Sequence, residues 1–289
     1  MKRFAIYSAI IGKYDEILQP SVVDDRFDYV LFADCLPEGK QGVWQVRRIE
    51  YANPIKAKVA RYVKTHPEAL LPEYEASLWL DANISIVGKE IYDRFVELFE
   101  SGTLVASVKH VAYDCVYNEL FSVLDFRYES EEVVVKWGHE LRKRDFPKHA
   151  GMFETGLLYR RHSSDIVKGF DASWWKYIDA YSKRDQLSFT VALYDASLSC
   201  ELFLPEGKNV RNSSELRFVN HNNDISKFGS ERERSWLMRH YYKHIEDKEK
   251  VFDYYYWIYG SHWPLLWAKI IGQYYRIADR CKDRNGSSS

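Results

Sequence analysis

The run Phe4-Ala5-Ile6-Tyr7-Ser8-Ala9-Ile10-Ile11 is almost unbroken in apolar residues and stops at Gly12. A strand covered on both faces reads this way, so the pattern predicts that the chain opens with a central strand of a parallel sheet. Phe27 to Ala33 is a second such run, ending at Asp34. Asn53-Pro54 offers a helix cap and a first-turn proline, which predicts a helix over Ile55 to Ala69 that Pro72 closes. Ser77-Leu78-Trp79-Leu80 then reads as a short buried strand delivering Asp81. Ile91, Tyr92, Phe95, Leu98 and Phe99 recur at helical spacing, and Thr103 to Val108 follows as a strand. Ser130 with Glu131 and Glu132 marks another helix start, Gly156 to Arg160 reads as a strand, and Asp171 to Tyr181 and Arg184 to Tyr194 read as helices. Alternation of this kind predicts an α/β sandwich around a mostly parallel sheet. We place the core domain at residues 1–220. Beyond it, Ser230 to Arg280 has a helical pattern crowded with Trp and Tyr and broken at Gly260 to Pro264, giving an aromatic-rich helical extension over 221–284. The small polar end 285–289 is expected to be a disordered tail or a scar of expression.

Composition narrows the classes. With 289 residues, 46% hydrophobic and 29% charged, the chain can bury a large core, which excludes disordered and fibrous proteins. Lys plus Arg number 41 against 42 for Asp plus Glu, so there is no global basic field of the kind a non-specific nucleic-acid binder needs. Any anion site is local. The apolar stretch after Met1-Lys2-Arg3 is short for a signal peptide, and no segment approaches the roughly 20 apolar residues that span a bilayer. A cytoplasmic protein is the expectation, working in solution or at the inner membrane face. Cys35, Cys115, Cys200 and Cys281 are scattered without a CxxC pair, which argues against a zinc knuckle or a disulfide framework. Twenty-two Tyr and nine Trp supply either stacking surfaces for sugars and flat ligands or an aromatic core and interface.

The most informative chemistry lies around the predicted strand at 77–80. Arg61 and Lys64 sit on the helix before it, and Asp81 and Asn83 sit at its carboxyl end, two residues apart. In an open α/β sheet ligands bind at that end. If strand geometry continues, Asp81 and Asn83 point the same way and present two oxygens to a hard divalent ion, while Arg61 and Lys64 neutralise a diphosphate. The competing reading is that both residues simply turn the chain.

Leu78-Trp79-Leu80-Asp81-Ala82-Asn83 resembles the "DxD" strand of the GT-A class of nucleotide-sugar glycosyltransferases, with Asn83 in place of the second Asp. Arg61 is placed like the helix arginine of its glycogenin-like members. The closer resemblance is to the TOD1/MUCI70 glycosyltransferase-like family, over about residues 4–200. It is carried by Tyr7 to Asp15, Phe32-Ala33-Asp34, Arg61-Tyr62-Val63-Lys64, His110 with Cys115-Val116-Tyr117-Asn118-Glu119, Glu154 to His162, Trp174-Trp175 and Ser182 to Phe189.

The resemblance implies a GT-A-like sandwich and transfer from a nucleotide sugar to a glycan or lipid-linked glycan, assisted by Mn2+ or Mg2+. Donor contacts fall on Tyr14, Asp34, Arg61, Lys64, Asp81, Asn83 and Gln186. Metal contacts fall on Asp81, Asn83 and a late histidine, His221. Asp185, ahead of Glu154, is the expected catalytic carboxylate, although a helix cap explains Asp185 and a solvated loop acid explains Glu154 equally well. His110, Tyr117, Glu119 and Trp175 form the expected acceptor or pocket wall. Two further readings stay open: a metal-dependent hydrolase on Asp81, His110 and His221, and a non-catalytic glycan-binding module. Trp and Tyr beside the cations from Arg232 to Lys250 also suggest peripheral membrane contact, with packing on a core or a second copy as the alternative.

Overall fold

A computed structural model of the chain describes residues 3–12, 14–125 and 128–220. The elements run β1 (Phe4–Ile10), β2 (Phe27–Ala33), β3 (Gly39–Gln41), β4 (Trp44–Arg48), α1 (Lys56–Thr65), α2 (Pro67–Leu70), β5 (Ala76–Leu80), β6 (Ile84–Ile86) and α3 (Glu90–Glu100). They continue with β7 (Val105–Lys109), α4 (Val116–Asp125), α5 (Glu131–Lys143), β8 (Phe153–Arg160), α6 (Asp165–Ala180), α7 (Gln186–Asp195), β9 (Glu201–Leu202) and β10 (Leu216–Phe218). The expected helical extension over 221–284 lies outside the described residues.

The chain divides into two compact units, with Cys115–Lys148 set apart from the residues on either side of it. In that segment Ser130 caps α5 by accepting from the Val133 N–H at 3.3 Å, as its sequence predicts. Tyr117 is buried and donates its hydroxyl to the Phe146 carbonyl at 2.9 Å, and the Arg142 guanidinium lies 5.0 Å from its ring centre. Glu119 is buried on α4.

The larger unit is a mixed α/β structure around an eight-stranded sheet ordered β3-β4-β2-β1-β5-β8-β7-β9. Pairings β1 with β2, β1 with β5, β2 with β4 and β7 with β9 are parallel, whereas β8 runs antiparallel to both its neighbours and β3 to β4. Every residue of β1 is buried because each face has its own cover. Phe4, Ile6 and Ile10 join Ile91, Tyr92, Phe95, Leu98 and Phe99 of α3 in one core. Ala5, Tyr7 and Ala9 face the other way, into Val59 and Val63 of α1, Val167, Phe170 and Trp174 of α6 and Phe189 of α7. The two-residue strand period thus makes a three-layer sandwich.

Two local expectations need correction. The helix expected over Ile55 to Ala69 is interrupted at His66, because Pro67 lacks an N–H and disfavours helical geometry in the residue before it. Asn53 does not cap α1; Ile55 holds that position, and Asn53 Oδ1 accepts from the Ile55 N–H at 2.9 Å in a turn that precedes the helix. The helix expected from Asp171 begins earlier, at Asp165, because Val167 and Phe170 already pack on the sheet.

Two features of this topology position the site. β1 has β2 on one side and β5 on the other, so the carboxyl ends of β1 and β5 flank a topological switch point, where open α/β sheets hold ligands. Because β8 is antiparallel, its amino-terminal residues Glu154 and Thr155 arrive at that same edge.

Candidate active site

The chain leaves β5 at Leu80 and turns at once, the Ile84 N–H returning to the Asp81 carbonyl at 2.9 Å. Strand alternation therefore does not continue through Asp81-Ala82-Asn83, and the shared direction expected for Asp81 and Asn83 does not follow from it. Each is instead set by its own contacts. Trp79 Nε1–H donates to Asp81 Oδ1 at 2.7 Å. The Asp81 N–H bonds the Gly156 carbonyl at 2.8 Å, and a Cβ on Gly156 would stand 3.3 Å from Asp81 Oδ2, so glycine keeps that oxygen approachable. Asn83 is buried; its Nδ2 donates to the Val219 carbonyl at 3.0 Å, and its own carbonyl accepts the Val219 N–H at 2.9 Å. The Nδ2 bond orients the amide, whose acceptor is Oδ1.

Four charged side chains from three elements meet here. Lys64 Nζ pairs with Asp185 Oδ2 and lies 3.6 Å from Asp81 Oδ1; Arg61 Nε lies 2.9 Å from Asp185 Oδ1, and Arg61 Nη1 3.9 Å from Asp81 Oδ1. Thr155 Oγ1 donates to Asp185 Oδ2 at 2.8 Å. The Lys64 side chain is 0% exposed and that of Asp185 6%. Burial alone pushes the Asp185 carboxyl up, but Arg61 and Lys64, with hydrogen bonds from Lys64 and Thr155, outweigh it and hold it well below the usual carboxylate range. Burial pulls the Lys64 ammonium below its usual range, Asp185 and Asp81 opposing the shift without cancelling it and Arg61 adding to it. A buried carboxylate facing two cations stays ionised. Asp185 occupies the N-cap position of α7, yet its side chain makes no capping bond; its role is this long-range pairing.

A second buried pair fixes the helix that carries the cations. Arg160 on β8 pairs with Asp171 on α6 and donates to the Tyr7 hydroxyl and to the Lys64 carbonyl, and Tyr7 donates to that carbonyl at 2.9 Å. The last turn of α1 is thereby tied to β1 and β8.

Glu154 begins β8 beside Phe153, and His110 follows β7. Glu154 is largely buried, with Arg211 Nη1 3.3 Å from both its oxygens. Burial raises its pKa; Arg211 opposes this, and Asp81 adds to it. His110 Nδ1 accepts from the Ala112 N–H at 3.2 Å and the Tyr113 N–H at 3.0 Å, so the ring hydrogen belongs on Nε2. Burial first, then Arg184 and Arg211, lower its pKa to about 4.

The chain segment 36–209, more than half of the sequence, matches the sequence profile described as TOD1/MUCI70, glycosyltransferase-like domain. The chain belongs to the TOD1/MUCI70 glycosyltransferase-like family. Among solved structures it is similar to an apo structure of a WbbM bifunctional glycosyltransferase, with a TM-score of 0.43 and 13% identity over 72% of this chain; the chain spans 39% of that structure's length. No curated protein sequence matches.

The other family positions are distributed as follows. Tyr14 is exposed and close enough to Arg61 to act on it electrostatically. Asp34 ties the ends of β1 and β2: its Oδ1 accepts the Gly12 N–H at 2.7 Å, where a φ of 68° calls for glycine, and its Oδ2 pairs with Lys56 at 2.7 Å. Burial raises the Asp34 carboxyl, but the Gly12 amide and Lys56 prevail and lower it. Gln186 opens α7 beside Asp185. Trp175 is set apart from the charged group, its ring edge-on to Tyr51, Tyr62 and His66 at 5.6, 5.4 and 5.4 Å. Tyr117 and Glu119 belong to the Cys115–Lys148 segment, and His221 lies outside the described residues. Thr155, Trp79, Arg160 and Arg211 were not singled out for the site. Arg160 carried the one available signal, a charged residue inside an apolar strand run.

Proposed function

We propose that the chain transfers a glycosyl group from a nucleotide sugar to a hydroxyl of a glycan or lipid-linked glycan. The observation that carries this reading is the convergence of Asp81 and Asp185 on the same two cations at the switch point between β1 and β5. Asp185 is too strongly stabilised as an anion to take a proton efficiently, and it suits hydrogen bonding to donor-sugar hydroxyls. Arg61 and Lys64 answer the charge that gathers on the diphosphate as it departs. Tyr14 stands where a nucleobase could stack, and Asp34 and Gln186 border the donor side. In the transfer, the bond from the anomeric carbon to the diphosphate oxygen breaks with its electron pair, the acceptor oxygen bonds to that carbon, and Glu154 takes the acceptor's proton. Glu154 fits the base role better than Asp185 because its pKa is raised.

The oxygens present fit a divalent cation. Asp81 Oδ2 faces the space that Gly156 leaves, Asn83 Oδ1 is oriented by the bonds to Val219, and His221 follows Val219 by two residues in sequence. Such an ion, Mn2+ or Mg2+, would supply Lewis-acid stabilisation of the diphosphate, held by Asp81, Asn83 and His221. Among the described residues no three His, Cys, Asp or Glu cluster as a ligand set, so the reading depends on His221.

The test is a thermal-shift panel of nucleoside diphosphates with and without Mn2+. Binding to the native state raises the melting temperature, by an amount that grows with ligand concentration over its dissociation constant. Asp81→Ala is expected to abolish the Mn2+ dependence and Asn83→Asp to retain or strengthen it. Unaltered metal-dependent binding in Asp81→Ala would remove Asp81 from the site. Glycan binding without any nucleotide-sugar turnover would favour the binding-module reading.

No helix among the described residues is long and apolar enough to cross a membrane. Peripheral contact through the aromatic and basic stretch after Ser230 is a proposal from sequence, tested by flotation with anionic liposomes; full-length protein that stays at the bottom of the gradient rejects it.

A further inference from the structure

We propose that Trp79 is a positioning residue that limits Asp81 to one ligand oxygen, so that the site accepts a six-coordinate divalent cation, Mn2+ or Mg2+, in preference to Ca2+. The inference rests on the metal-assisted glycosyl-transfer reading and adds to it the residue that sets the choice of ion. The Asp81 backbone is held on both sides. Its N–H bonds the Gly156 carbonyl at 2.8 Å, and its carbonyl accepts the Ile84 N–H at 2.9 Å. The carboxylate is then divided between two tasks. Oδ1 accepts the Trp79 Nε1–H at 2.7 Å, and Lys64 Nζ and Arg61 Nη1 lie 3.6 and 3.9 Å from that same oxygen. No hydrogen bond reaches Oδ2 among the described residues; it lies beside Gly156, where a Cβ would stand 3.3 Å away. The side chain is 31% exposed, so one oxygen is anchored in the protein and the other is left for a ligand.

Trp79 is fixed by its surroundings. It sits on β5, an interior strand, with Tyr7 of β1 and Leu158 of β8 as its register partners. The residue is 1% exposed, and its ring stands edge-on to Tyr7 at 5.1 Å, with Lys64 Nζ 5.5 Å from the ring centre. An indole N–H can only donate, and burying it without an acceptor costs free energy; Asp81 Oδ1 is that acceptor. A cation gripped by both carboxylate oxygens would have to break this bond and stand close to the Lys64 ammonium and the Arg61 guanidinium. Binding through Oδ2 alone avoids both costs. Ca2+ takes about six to eight oxygens and gains from carboxylates that offer two, whereas Mg2+ keeps an octahedral shell completed by phosphate oxygens and water. Mn2+ suits the same octahedral oxygen shell. An acid restricted to one oxygen therefore favours these two ions over Ca2+.

The test uses the full chain with whichever of UDP, GDP, ADP and CDP raises its melting temperature most in the presence of Mn2+. Calorimetry then gives the affinity for that nucleotide in equal concentrations of Mn2+, Mg2+ and Ca2+, and in a chelator. In the parent, binding with Mn2+ or Mg2+ is expected to be at least about tenfold tighter than with Ca2+. Trp79→Phe keeps a buried ring and removes the donor. It is expected to narrow the ratio of Mn2+-supported to Ca2+-supported affinity by about tenfold, whereas lost packing alone would weaken both and leave the ratio unchanged. Gly156→Ala crowds Oδ2 and is expected to weaken nucleotide binding by about tenfold with every ion, with the affinity in chelator unaltered. Equal affinity with Ca2+ and Mn2+ in the parent, the parent's ratio in Trp79→Phe, or the parent's Mn2+-supported affinity in Gly156→Ala each overturns the proposal. Should Trp79→Phe fail to fold, the parent's ratio and Gly156→Ala still decide. If no divalent ion changes nucleotide binding, the metal reading fails and the proposal with it; if ions tighten binding without discrimination, the metal reading stands and the role of Trp79 falls.

Discussion

Asp185→Asn is expected to lower glycosyl transfer by about two orders of magnitude or more and to destabilise the fold by about 3–5 kcal/mol, because removing one partner of a buried ion pair strands the other. Lys64, fully buried, would keep Asp81 at 3.6 Å as its remaining counter-charge. The two losses are separable. In the double variant Lys64→Met with Asp185→Asn, Arg61 and Asp81 still balance, so the melting temperature is expected to recover toward that of the parent while turnover stays low. Recovery of both would reduce Asp185 to a structural counter-ion, and a melting temperature that does not recover would mean that the pair itself supports the fold. The pH dependence has a definite sign. A carboxyl held below its unfolded value of about 3.9 contributes stability that is fully present above that value and is lost as pH falls below it. Asp185→Asn is therefore expected to flatten the acid limb of the stability curve below about pH 4.

What the chain discloses in advance is whatever depends on neighbours in sequence. The seven buried residues of β1 and the stripe of Ile91, Tyr92, Phe95, Leu98 and Phe99 announce a covered strand and a helix packed on a sheet. Elements shorter than about one pattern repeat do not announce themselves: β3, β6, β9 and β10 have two or three residues each, and their pairing is fixed by strands elsewhere. Asp185 is the clearest case at the site. Locally it stands at the start of a helix, where an acid caps by default; in the fold its carboxylate turns to Lys64, 121 residues away, because two desolvated cations bind it more strongly than the first amides of α7 can. Glu154 was legible only as an acid before a strand. That the strand is antiparallel, and so brings Glu154 and Thr155 to the carboxyl edge beside Asp81, is a property of the sheet. The bulge at Ser107/Val108 marks the same place, with Ser107 Oγ donating to the Glu154 and Leu157 carbonyls at 2.7 and 2.9 Å.

Glu154→Gln is expected to lower turnover by about 10²–10⁴-fold, the usual contribution of a positioned base, with nucleoside diphosphate affinity and melting temperature nearly unchanged. The near-neutral effect on stability follows because its partner Arg211 is half exposed and an ion pair with an exposed member is worth little. As a base, Glu154 works only when ionised, so kcat/KM falls as pH drops through its pKa. Burial sets that value above the ordinary glutamate range of about 4.3, and Arg211 restrains the rise. Removing the restraint in Arg211→Gln is expected to move the acid limb of the kcat/KM profile to higher pH, and Glu154→Gln to remove that limb. A Glu154→Gln enzyme that is slow but keeps the parent's limb would assign the titration to another group and leave Glu154 a binding role only. One that turns over normally would take it out of the chemistry, and retention of configuration at the anomeric carbon would then account for the absence of any need for a base.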